Sequence, residues 1–231
     1  MTRPPSDGMA TELKEAIDSV YAAFAAVPRP REIEGCPCCI EDKEVDVLLA
    51  KPLREISPEE LSSYASSVFL TIGCEKDFHY FLPRILEVTV TDLGWWPDIE
   101  VTGRALENAK WLTWPEAERE AIKRFFDAQF SGLLTESVGS ELDSWLCGIS
   151  LAGLELAPFL TRLEANTSAV LEIYGWNANP IMERRLTNGF WDDTSKGASQ
   201  LIEWFYSTDV SLMILKAYGV DLNKPRPDLQ P

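Results

Sequence analysis

The sequence predicts an all-α fold. Three observations carry that expectation. Apolar residues recur at helical spacing in about nine segments, alternating strand-like patterning is nearly absent, and helix start and stop residues punctuate the chain at short intervals. The connectors are short, which suggests antiparallel helix pairs, stacked as a degenerate HEAT-like helical-repeat solenoid or gathered into a compact bundle.

Residues 1–10 are polar and proline-rich and read as a flexible arm. A single all-α domain is expected over 11–222, with 223–231 a disordered tail. In TELKEAIDSVYAAFAAV (11–27), Leu13, Ile17, Val20, Tyr21 and Phe24 share one helical face, and Pro28 and Pro30 stop the helix. After the cysteine-rich GCPCC loop (35–39), KEVDVLLAKPLREI gives a short helix interrupted by Pro52. SPEELSSYASSVFLTIG (57–73) has a full start signal. Ser57 caps the free amides, Pro58 fits the first helical position, and Glu60 completes a capping box. Gly73 is read as its stop, because glycine takes the left-handed conformation without penalty.

KDFHYFLPRILEV (76–88) is helical in period, with Pro83 predicted to kink it. LEVTVTDLGWW then carries that helix into a loop. A helix is expected over 98–114. TWPEAEREAIKRFFDAQFSGLL (113–134) repeats the start grammar with Thr113, Pro115 and Glu116. Residues 140–166 read as two helices broken between Gly148 and Gly153, and 167–177 as another. Residues 198–220 read as a helix pair or one bent helix.

Composition excludes several roles. The net charge of −16, from 37 acids against 21 bases, opposes a phosphate backbone, which is bound through Lys and Arg. It is equally unsuited to an anionic membrane surface. No stretch is apolar enough over the ~20 residues that a bilayer requires. The same charge suits a basic protein partner. The five cysteines are odd in number, and three crowd into 36–39, which points to a reducing cytoplasmic setting rather than a disulfide framework.

The runs GCPCC (35–39), LSSYASSVFLTIG (61–73), DFHYFLPRILE (77–87) and AKWLTWPEAEREAIKRFF (109–126), with the spaced tryptophans of 189–218, resemble an uncharacterised bacterial protein family. That family has a Cys-rich loop followed by an FLPRILE-type helix. It carries no established activity, so the resemblance implies organisation and not chemistry.

Candidate sites are few. Cys36 and Cys39 have the C-x-x-C spacing that lets two thiolates grip one zinc ion. Cys74 and His79 could complete a Cys3His set. The alternative is that these thiols are packing residues in a turn. Glu41 and Asp42 disfavour a reactive thiolate nearby. Arg84 in FLPRILE can pair with Glu87 three residues on. It reads as an anion anchor in an inter-helix groove, or as a half-buried arginine that satisfies carbonyls freed by the proline.

His79 is the only histidine, which removes hydrolases with several His ligands. Neither a GxSxG elbow nor a Gly-rich phosphate loop is present. Between Thr135 and Asn177 stand six acids and one base. Glu141, Asp143 and Glu155 from this acidic stretch, with Trp191, Asp192 and Asp193 from NGFWDDTS, are the expected binding surface for a basic partner. Trp191 could instead close the core between two helices, and GWWPD (94–98) poses the same choice. Elimination therefore leaves a non-enzymatic acidic binding module, one form of which is an immunity-type protein that neutralises a basic toxin domain. The alternatives are a zinc-stapled structural protein and an enzyme built on carboxylates and Arg84.

Overall fold

In a computed structural model of the chain, residues 7–36, 40–92, 94–136, 138–191 and 196–220 are described. Among them the secondary structure is helical apart from two isolated bridges. The helices are α1 (Asp7–Ala23), α2 (Asp42–Ala50), α3 (Pro58–Ser67), α4 (Glu75–Thr91), α5 (Ile99–Asn108), α6 (Glu116–Glu136), α7 (Gly139–Leu151), α8 (Ala157–Glu164), α9 (Thr167–Ile181), α10 (Lys196–Phe205) and α11 (Thr208–Ala217). Two 3₁₀ turns, Leu53–Glu55 and Trp111–Thr113, follow α2 and α5. The all-α class is as the sequence predicts.

Local chemistry accounts for most boundaries. The Ser57 hydroxyl accepts from the Glu60 amide at 3.3 Å, and the Glu60 carboxylate accepts from the Ser57 amide at 2.9 Å. Both halves of the capping box are therefore made. Gly153, at φ +80°, turns the chain between α7 and α8. Ser207 separates α10 from α11, so the end of the described chain is a helix pair.

Three boundaries differ from the sequence reading. α1 opens at Asp7, inside the segment read as an arm. α3 stops at Ser67 rather than at Gly73, because the residues that follow have partners elsewhere. The Cys36 amide donates to the Thr71 carbonyl at 2.9 Å, and the Gly73 amide to the Glu34 carbonyl at 2.6 Å. Val68 leaves the helix in an extended conformation, and Phe69 takes φ +64°. The Thr113 hydroxyl donates to the Lys110 carbonyl at 2.8 Å, within the 3₁₀ turn that precedes α6. α6 itself begins at Glu116.

α7 is the central strut. It touches α5, α6, α9 and α10. Two of these approaches are close enough to require glycine. A Cβ on Gly103 of α5 would stand 2.4 Å from the Gly148 carbonyl oxygen on α7, and one on Gly139 would stand 2.2 Å from the Glu172 carbonyl oxygen on α9. α1 lies along α6 and also meets α4, so the first helix is held by one far along the chain. Repeat solenoids rest on nearest neighbours, and this contact gives the compact-bundle form of the expectation. One contiguous core of buried side chains runs from Ile17 to Ile214.

Candidate functional site

The loop from α4 to α5 faces the start of α7 across a cleft of about 200 Å³, with α6 behind it. Trp95 is fixed in the loop by its indole N–H, which donates to the Pro58 carbonyl at 2.7 Å. Asp98 precedes α5 in the N-cap position, yet its carboxylate makes no capping bond. α7 contributes Glu141, Ser144 and Trp145, and Asp92 closes the loop side. The cleft thus has two indole walls, three carboxylates and no Lys or Arg among its lining residues. Asp98 is exposed at the cleft mouth, and what burial it has raises its carboxyl above the ordinary range.

Behind the cleft lies a buried polar network. Ser144 sits beside the Glu100 carboxyl of α5. The Asn188 side-chain amide donates to Glu100 Oε1 at 2.6 Å and also supports Asp143. Asp143, fully buried on α7, accepts from Asn177 Nδ2 at 2.9 Å and from Trp191 Nε1 at 3.2 Å. Asn177 in turn accepts from the Thr187 amide at 2.8 Å through its side-chain oxygen. The segment 187–191 is thereby tied to α5, α7 and α9.

Desolvation raises both carboxyls, and the bonds from Asn177, Trp191 and Asn188 offset only part of it. The Glu100 Oε2 atom is buried with no hydrogen-bond partner among the described residues. Cys147 is fully buried nearby. Its thiol is pushed far up, first by burial and then by the two carboxylates, so it is inert.

Several expected site residues lie elsewhere or act otherwise. Asp143 and Trp191 were expected on a partner-binding surface, and both are core. α7 is apolar on most of its circumference, so its acid points inward and takes the Trp191 indole as a donor. Glu155 is exposed and pairs with Lys196 at 2.6 Å. Glu141 alone of that set lines the cleft. Asp192 and Asp193 lie outside the described residues, as does Cys39.

Among the described residues no group of three or more His, Cys, Asp or Glu side chains is placed to hold a metal ion. The Cys74 thiol donates to Asp77 at 2.8 Å in the N-cap of α4. Cys36 lies in the turn that pairs with residues 71–73, just before Cys74 in the chain. His79 faces α6, where its Nε2 lies 2.8 Å from Glu118 and its ring stacks on Trp114 at 4.1 Å.

Arg84 is engaged as well. Its Nε donates to the Ile56 carbonyl at 2.9 Å, and Nη1 to Glu87 at 2.6 Å. The carbonyl it satisfies belongs to the turn before α3 and not to the α4 backbone around Pro83, while the expected pairing with Glu87 is made.

No protein family, curated protein or solved structure matches the chain. Its chemistry is therefore read from its own residues. Among the described residues no helix is long and apolar enough to cross a membrane. Sequence reasoning passed over Glu100 and Asp92. It singled out GWWPD, which supplies Trp95 and Asp98, without deciding its role.

Proposed function

We propose that the protein is a non-enzymatic binding module that holds a basic protein partner, one Lys or Arg side chain of which enters the cleft between Trp95 and Trp145. The observation that carries this reading is Asp98. Its exposed carboxylate makes no cap bond to α5 and lines one cleft with Asp92 and Glu141. A cation there gains three carboxylates and two aromatic walls. The net charge of −16 steers a basic partner toward the protein and disfavours nucleic acid. The odd number of cysteines and their crowding at 36–39 favour work in the reducing cytoplasm. An immunity-type protein that neutralises a basic toxin domain is the concrete form of this reading.

Two measurements test it. Butylguanidinium, as a minimal arginine side chain, is expected to shift the indole NMR signals of Trp95 and Trp145, while butanol is not. Co-purification with the basic product of a neighbouring gene is expected to give a stable complex. Asp98→Asn together with Glu141→Gln should weaken it by about 2 kcal/mol. No response to the cation, together with a complex indifferent to both substitutions, would sink the reading.

A further inference from the structure

The end of the molecule formed by α9, α10 and α11 exposes an apolar face. Met182 is 79% exposed, Tyr218 65% and Tyr206 50%, and Leu212 and Leu215 are exposed beside them. A groove of about 370 Å³ runs through this face, walled by Tyr174, Ile181, Phe205, Ile214 and Leu215. Its polar atoms are satisfied within the fold. The Tyr206 hydroxyl donates to the Ile181 carbonyl at 2.9 Å, and the Ser211 hydroxyl to the Phe205 carbonyl at 3.1 Å. Scattered exposed apolar residues are ordinary, but a contiguous patch of this kind marks a contact surface.

Charge selects the occupant. With a net charge of −16, the chain as a whole repels a second copy of itself. Beside this face the charges are mixed: Glu183, Arg184 and Arg185 follow Met182, with Arg185 paired to Glu183, and α11 carries Asp209 and Lys216. Arg184 lies over the Tyr206 ring at 4.9 Å. On α11, Asp209 occupies the first turn and Lys216 the last. They are seven residues apart, about two turns, and so share one side of the helix; Leu212 lies next to that side and Leu215 further round, at the groove.

We propose that this face is a self-association site. A second copy docks through a two-fold axis near Leu212, with the two α11 helices antiparallel. Asp209 of each copy then faces Lys216 of the other, and the leucines and Met182 are covered between them. An isologous contact must be self-complementary, and opposite charges at the two ends of an antiparallel helix meet that condition. Antiparallel helix dipoles add to the same arrangement. The site uses none of the cleft residues, so it stands or falls apart from the proposed binding of a basic partner.

Sedimentation velocity on the full chain, up to about 100 μM, tests it. The wild type is expected to form a dimer, at a salt concentration that screens the net self-repulsion. Asp209→Lys or Lys216→Asp alone places like charges opposite each other twice in the dimer, and each should weaken association about tenfold or more. Mixing the two single variants should restore a one-to-one heterodimer, since each then supplies the charge that the other lacks. Both positions are exposed, so the variants keep the fold. A wild type that stays monomeric throughout overturns the proposal and leaves the face to another partner. A dimer untouched by either single swap overturns it too, as does a mixture that fails to recover.

Discussion

Trp191 donates its indole N–H to Asp143 at 3.2 Å, joining two residues 48 apart in the chain. The bond turns a carboxyl that sequence places on the surface into the centre of the core. It also ties the 187–191 segment to the helix that every neighbouring element leans on.

The carboxyls of Asp143 and Glu100 both lie above their ordinary range in the folded protein, chiefly through burial. In that state the fold binds more protons than the unfolded chain. Their contribution is therefore full below the ordinary carboxylate range and declines as pH rises toward the folded values. Urea unfolding at a series of pH values from about pH 4 upward should show stability falling as pH rises past the ordinary carboxylate range. Glu100→Gln removes one buried charge. It should flatten the slope and gain about 1 kcal/mol at the alkaline end. Parallel slopes for the two proteins would contradict this account.

Gly103→Ala places a methyl 2.4 Å from a backbone oxygen of α7, where no side chain can move aside. The expected loss is about 2 kcal/mol, with α5 pushed off α7. Gly132 on α6 is the control, since a Cβ there meets nothing within 4 Å. Gly132→Ala should gain about 0.5–1 kcal/mol through helix propensity alone. Denaturation midpoints that move the same way in both variants would refute the close-crossing explanation.

Arg84→Ala leaves the Ile56 carbonyl without its side-chain donor and takes one partner from Glu87, which keeps the Tyr21 hydroxyl. A loss of about 2 kcal/mol is expected. If Arg84 instead anchored an anion, phosphate would stabilise the wild type more than the variant. Thermal melts with and without phosphate should show equal shifts.

Cys74 is exposed, yet its thiol is held protonated by the hydrogen bond to Asp77, which pushes its pKa up. Alkylation of the native protein at about pH 7.5, followed by peptide mapping, should modify Cys74 more slowly than an unstructured thiol, since the thiolate is the nucleophile. Urea should abolish the difference. Cys74→Ser should keep the cap, because serine is a preferred residue there. Native labelling as fast as that of a free thiol would show that the Asp77 bond does not form in solution.

Much of this fold is written in local signals. The Ser57–Pro58–Glu60 start and the break at Gly153 are each set by a few neighbouring residues, and both occur where the sequence places them. The early end of α3 has a non-local cause, since residues 71–73 pair with 34–36. Propensity around Val68 carries no trace of that partner.

The site divides in the same way. Glu141 and the GWWPD stretch are visible as acids and aromatics. That they face one another depends on how α5 crosses α7. The burial of Asp143 did leave a signal. Leu142, Trp145, Leu146, Cys147 and Ile149 surround it on α7, and a helix apolar nearly all round is buried. Reading acids as surface by default hides that pattern.

The contact between α1 and α6 carries a consequence in time. α1 is the first of these helices to be synthesised, and the helix it rests on is complete only at Glu136. Until then Ile17, Val20 and Phe24, all buried in the finished protein, lack that partner. The opening segment must wait until synthesis has reached Glu136 before it can settle against α6. Contacts so distant in sequence are slow to form, and the oldest helix joins the bundle late.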